Sequence, residues 1–354
     1  MVKVAANSRS ALRRRSSDAI AGFFEDQRAT LDREIQPLLD ELEAVVDAGG
    51  KRLRPIFCYW GHVAAGGTDG PQILRAGAAL ELLHTFAIIH DDVMDRSPVR
   101  RGRFASFRAL AEVARLHSHR GDPERFGMSA AILAGDLALV LADRLLETSG
   151  FDAPAVARAR RHYDSMRIRA IAGQYLDLLA AHRGEIDEWG ARRIGELKSG
   201  GYTVADPLLI GASLAAPDGP AHRVLEAYGQ PLGLAFQVRD DVLGVFGDPQ
   251  VTGKDRDGDL REGKQTVLLA KARAMASSDD REFLDEYIGR PDLDPQDADG
   301  LRRILLSSGA LDHTLELIGR LTERAKRALD PDILEADVTQ TLAALADEVS
   351  AREA

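Results

Sequence analysis

The chain has 354 residues, a formal net charge of −10, a sequence pI near 5.5 and one cysteine, Cys58. Its 45% apolar and 29% charged content is that of a globular protein and excludes wholesale disorder. The lone cysteine excludes a disulfide framework and any zinc site of several thiolates, and the acidic balance argues against general nucleic-acid binding while permitting a local basic pocket for phosphates.

Aromatic residues make up only 5% while Ala, Leu, Arg and Glu recur throughout, a composition that favours helices over strands. No block of period-two alternation bounded by hairpin turns is visible, so the expected fold is all-α, a single-domain helical bundle. Residues 1–18 read as a flexible lead-in carrying the basic cluster Arg13-Arg14-Arg15, and 19–354 as the catalytic domain. No apolar stretch follows that cluster, so no secretory signal is expected and the expected location is cytoplasmic. No apolar run approaches the ~20 residues of a membrane span, so no stable membrane insertion is expected.

Along the chain, Gly49-Gly50-Lys51-Arg52-Leu53-Arg54-Pro55 sets cations and flexible glycines before a helix. A Gly/Pro/Asp turn at 65–71 precedes residues 73–89, which are apolar around most of a helical circumference and predict a core helix. That helix runs into His90-Asp91-Asp92-Val93-Met94-Asp95, followed closely by Arg100-Arg101-Gly102. Further turns at 120–123, 216–220 and 290–292 separate periodic stretches such as 129–148 and 221–246. Within the last of these, residues 232–238 lead into Arg239-Asp240-Asp241. A polar, Gly- and Asp-rich loop at 247–264, containing Lys254 and Lys264, reads as a lid.

Carboxylates at the ends of core helices are costly unless neutralised. Asp91 and Asp95, four apart, share a helix face, and at roughly 6 Å they repel by about 2–3 kcal/mol at an effective dielectric of 20. Protonation or a bound cation relieves this, and an all-oxygen set with open positions suits Mg²⁺ completed by phosphate oxygens. A solvated acidic helix end is the bland reading of one such cluster. A second, at Asp240-Asp241, favours two helix ends facing across a bundle cavity to hold Mg²⁺ and a diphosphate. Arg and Lys beside both clusters supply bidentate and point-charge contacts to phosphate.

These residues resemble the trans-isoprenyl diphosphate synthases (polyprenyl synthetases). The resemblance is carried by residues 49–55, by Glu-Leu-Leu-His-Thr-Phe-Ala-Ile-Ile-His-Asp-Asp-Val-Met-Asp at 81–95, by 100–102, Ala-Gly-Asp at 134–136, Lys198, Phe-Gln-Val-Arg-Asp-Asp at 236–241 and the 259–266 segment. It runs in order from about residue 40 to 330. It implies a bundle around a deep central cavity, usually in a homodimer, with Mg²⁺ as cofactor. Asp91, Asp95 and Asp240 resemble the main metal ligands, supported by Asp92 and Asp241. Arg100, Lys198, Gln237 and Lys254 resemble residues for the allylic diphosphate (dimethylallyl, geranyl or farnesyl), and Lys264 is a further substrate-binding candidate. Lys51, Arg54, His84 and Arg101 resemble those for isopentenyl diphosphate. His84 also lies two turns before Asp91 on the same face. The implied chemistry is ionisation, condensation and elimination.

Two positions bear on the particular activity. The second motif reads Asp240-Asp241-Val242-Leu243-Gly244, with Gly where the family has its last Asp, and Asp248 is not an evident substitute. In the family the residues four and five before the first Asp form part of the floor beneath the growing chain; here they are Ala87 and Phe86, a pairing that resembles synthases of the C20 product, geranylgeranyl diphosphate. Farnesyl (C15) or longer-chain synthesis and a regulatory subunit of a hetero-oligomeric prenyltransferase are the alternatives. A terpene cyclase needs a different second motif, and a metal-dependent phosphohydrolase needs more histidine ligands than pair with His90.

Overall fold

The computed structural model describes residues 8–117, 120–248 and 256–351. In chain order the elements are α1 (Arg9–Thr30), α2 (Gln36–Asp47), α3 (Leu53–Ala64), α4 (Pro71–Met94), strands β1 (Val99–Arg100) and β2 (Arg103–Phe104), α5 (Ser106–Leu116), α6 (Pro123–Glu147) and α7 (Ala153–Arg183). There follow α8 (Glu188–Gly195), a π-helical segment (Glu196–Ala205), α9 (Asp206–Ala215), α10 (Pro220–Phe246), α11 (Gly258–Arg261), α12 (Val267–Met275), α13 (Ser278–Tyr287), α14 (Pro295–Ser307), α15 (Ala310–Ala328) and α16 (Ala336–Ser350).

The all-α expectation holds, with α4 at the centre. It packs on α1, α2, α3, α5, α6 and α9, and Ile73, Leu80, Leu82 and Leu83 are buried on different sides of it. Tyr228 on α10 anchors α16 by donating its hydroxyl to the Leu342 carbonyl at 2.7 Å. A smaller core around Leu260, Leu268, Leu284 and Leu301 seats α11 to α14 against the end of α10.

Two expectations are corrected, and a short hairpin is added. Residues 9–18 belong to α1 instead of a lead-in, because Leu12 and Ser16 are buried against the bundle and Arg15 pairs with Asp69 at 2.6 Å. By length and composition α4 and α6 do suffice to cross a membrane; α4 is the bundle's core helix, and α6 keeps an exposed apolar face. The Arg-Arg-Gly segment forms a hairpin, pairing Val99 with Phe104 and Arg100 with Arg103. Arg101 and Gly102 turn the chain at φ 52° and 73°, left-handed at both central positions as a two-residue hairpin requires.

Close backbone approach sets the geometry around the cavity. A Cβ on Gly173 of α7 would lie 2.6 Å from Lys198 Cα, and one on Gly233 of α10 would lie 2.9 Å from Gly200 Cα. The π-helical segment is thus clamped between α7 and α10, and the wider turn carries Lys198 to the cavity wall.

Candidate active site

The ends of α4 and α10 both line one cavity of about 1750 Å³. This exceeds the roughly 300–1,000 Å³ of ordinary small-ligand pockets. Asp91 from α4 and Asp240 and Asp241 from α10 line it, with Lys198 from the π-helical segment and Arg100 from β1. Apolar side chains also line it, among them Leu83, Phe86, Ala87, Leu139, Ile168 and Ile171. The Phe86 ring meets the His90 ring edge-on at 4.7 Å between centroids.

The cations interleave with the carboxylates. Lys198 Nζ donates to Asp177 Oδ2 at 2.7 Å and lies 3.3 Å from Asp91 Oδ1. Arg100 Nη2 lies 3.9 Å from Asp91 Oδ2, while its Nε donates to Asp92 Oδ1 at 2.7 Å. Gln237 Nε2 donates to Asp241 Oδ1 at 2.7 Å. Lys264 Nζ reaches Asp259 Oδ1 and Glu262 Oε2, each at 2.9 Å, and lies 3.9 Å from Asp95 Oδ2.

Negative charge is in excess. Burial works to raise the Asp91 pKa, but Lys198, Lys264 and Arg100 outweigh it and hold that carboxyl below its ordinary value. Asp95 is pushed up to about 7 by burial and by the Asp91 charge. Asp241 rises to about 8 through burial, then Asp259 and Asp240. Asp95 Oδ2 is buried and accepts no hydrogen bond.

Carboxylates that hold protons near neutrality for want of positive charge suit a divalent cation. Among the described residues no three His, Cys, Asp or Glu side chains form a ready metal cage. The donor set therefore fits Mg²⁺, which keeps waters and takes phosphate oxygens, better than an all-protein site.

Asp92 is expected in a supporting place among the metal ligands. It is 2% exposed and faces a crevice beside the cavity, where Arg100 holds Oδ1 through two nitrogens. Its position suits orienting Arg100. Replacing Arg100 with Ala removes the cation from a buried carboxylate and is expected to cost about 3–5 kcal/mol. Urea unfolding checks this, and a change below about 1 kcal/mol, the size of an exposed pair, would contradict the burial argument.

Lys51, Arg54, His84 and Arg101 also line the cavity, as one group. Arg54 Nη2 donates to Thr203 Oγ1 at 2.9 Å and its guanidinium lies 4.3 Å above the Tyr202 ring. Burial, with Arg54 and Arg101, lowers the His84 pKa well below its ordinary value, so His84 is neutral. Arg101 donates to the Gly49 carbonyl, joining the hairpin to the glycine loop. Lys254 lies outside the described residues.

Asp177, Tyr202, Asp259 and Glu262 belong to this constellation and carry no role in the sequence reading. For Asp177 a signal existed: Gln174-x-x-Asp177 puts two polar groups on one helical face, and both line the cavity.

A family model described as polyprenyl synthetase matches residues 35–305. A geranylfarnesyl diphosphate synthase of Aeropyrum pernix is 34% identical over 80% of this chain and 84% of its own. A geranylgeranyl diphosphate synthase of Sulfolobus acidocaldarius is 30% identical over 74% of each. The crystal structure of a Corynebacterium glutamicum geranylgeranyl pyrophosphate synthase, complexed with isoprenyl diphosphate and magnesium, superimposes with TM-score 0.91 at 35% identity. The match covers 97% of this chain and 99% of that one. The chain belongs to the polyprenyl synthetase family and is an enzyme of the prenyl diphosphate synthase class.

Proposed function

We propose that the protein condenses isopentenyl diphosphate with an allylic diphosphate, dimethylallyl, geranyl or farnesyl, and releases geranylgeranyl diphosphate. The observation that carries this is the joining of two acidic helix ends and two groups of cations to one apolar cavity of about 1750 Å³. Relatives that make the C20 and C25 products support the length class, and Ala87 beside Phe86 on the wall supports C20.

Arg100, Lys198 and Gln237, with Lys264 nearby, orient the allylic diphosphate, a role the family resemblance extends to Lys254. Lys51, Arg54, Arg101 and neutral His84 hold the second diphosphate. Asp91, Asp95, Asp240 and Asp241 would hold Mg²⁺, which would supply positive charge to the departing diphosphate. The allylic C–O bond breaks with its electron pair going to that diphosphate, where Lys198 and Arg100 stabilise the growing negative charge. The isopentenyl double bond attacks the allylic cation, and loss of a proton, with released diphosphate as the base, restores an alkene.

The test incubates purified protein with Mg²⁺, isopentenyl diphosphate and farnesyl diphosphate and resolves the dephosphorylated products by chromatography. Geranylgeraniol is expected as the main product. No product longer than farnesol would overturn the C20 reading, and none from any allylic primer would favour the regulatory subunit.

The same proposal includes a homodimer acting in the cytoplasm. Cys58, buried and free, suits a reducing compartment. Leu133 and Val140, seven apart on α6, are 59% and 62% exposed and share one helix face. Sedimentation velocity is expected to give a dimer, and Leu133→Asp with Val140→Asp a folded monomer. A monomeric wild type would contradict the assignment.

A further inference from the structure

We propose that Asp259 is the third carboxylate of the second acidic cluster, filling from α11 the space that Gly244 leaves on α10. This rests on the metal–diphosphate reading above and extends it to a residue of the following loop. Position 244 lies three and four residues after Asp241 and Asp240, so a side chain there would share their helical face. Gly has no such side chain, and the space is occupied. A Cβ built on Gly244 would overlap Asp259 Oδ2 and stand 2.8 Å from Asp259 Cγ. The Asp259 carboxylate therefore fills the space in which a side chain at 244 would begin.

The position is built. Arg302, 5% exposed, donates from Nε to the Val245 carbonyl at 2.9 Å and from Nη2 to the Arg256 carbonyl at 3.0 Å, tying the end of α10 to the start of α11. Leu260, next to Asp259, is buried, and its carbonyl accepts from the Gly289 amide at 2.9 Å. Asp259 itself lines the cavity. From the opposite helix, Asp95 Oδ2 is buried without a hydrogen-bond partner, on a side chain 9% exposed. Lys264 Nζ stands between the two clusters, 2.9 Å from Asp259 and 3.9 Å from Asp95. The two acidic groups thus converge on one point, and the carboxylate missing from α10 is delivered by the loop.

The test is Mn²⁺ binding to full-length protein, followed by electron paramagnetic resonance with farnesyl thiodiphosphate, an analogue that resists ionisation. Asp259→Asn keeps the shape and is expected to weaken Mn²⁺ binding about ten- to hundredfold, with an unchanged far-UV circular dichroism spectrum. Gly244→Ala is expected to weaken it similarly by displacing the carboxylate. Gly244→Asp combined with Asp259→Ser returns a carboxylate to the same space and should recover most of the loss. If Asp259→Asn binds Mn²⁺ like wild type while Asp91→Asn does not, the proposal is overturned and the metal reading stands. A folded double variant that fails to recover overturns it as well, assigning Asp259 to holding Lys264 alone. If Asp91→Asn also binds normally, the metal reading fails and the proposal with it.

Discussion

Asp91→Asn is expected to lower kcat by about 10²–10³ and to raise the Mg²⁺ concentration needed for half-maximal rate. Asp91 is the carboxylate at which the site's positive charge converges, with Lys198 at 3.3 Å and Arg100 at 3.9 Å. It is held ionised while Asp95, one turn on, is pushed up to about 7. An amide there keeps the shape but neither attracts a divalent ion nor holds Lys198 toward the diphosphate. Ionisation of the allylic substrate then loses stabilisation where charge develops, so kcat falls more than substrate affinity does. Steady-state kinetics across a Mg²⁺ series checks this. A loss below tenfold at saturating Mg²⁺ would remove Asp91 from the metal site.

Phe86→Ala is expected to shift the main product from C20 to C25 or longer. Each further isoprene unit buries about five carbons, worth roughly 4 kcal/mol at about 0.8 kcal/mol per CH₂, so elongation ends only where the wall stops it. Phe86 lines the cavity one turn before His90, with its ring against that imidazole. Truncation opens space beside Ala87 while leaving Asp91 and the cations in place. The total rate is expected to change little compared with the product distribution, read by chromatography after dephosphorylation. An unaltered distribution would take Phe86 out of the floor and assign the stop to another apolar side chain of the wall, such as Leu139.

The features legible in sequence share a cause: periodicity and charge placed against an apolar background. Residues 73–89 could only be a core helix, so the aspartates at its end had to face something cationic, and Asp91 does. The cations at 51, 54, 100 and 101 were legible by chemistry and Lys198 only through the family resemblance, and all line the cavity. What escaped depends on contacts between segments far apart in the chain. Asp91 and Asp92 are neighbours of identical type, and the helical turn sends one to the cavity and the other to Arg100 behind it. Lys198 lies in a helical run whose π-helical turn has no periodic signature; Gly173 and Gly233, on two other helices, make room for it. The hairpin at 99–104 is too short to show alternation, and Arg101 adopts a left-handed conformation that sequence alone does not suggest. Gly244 read as a loss, because the carboxylate in its space arrives from fifteen residues on.

The central claim is that the ends of α4 and α10 jointly hold divalent ions and a diphosphate over an apolar shaft. Anomalous diffraction from crystals grown with Mn²⁺ and farnesyl thiodiphosphate tests it most directly. The account predicts manganese peaks bonded to Asp91 or Asp95 on one side and to Asp240 on the other, bridged by the diphosphate, with the farnesyl chain running down past Phe86. Manganese bound elsewhere, or a diphosphate seated without metal and with its chain outside the cavity, would contradict it.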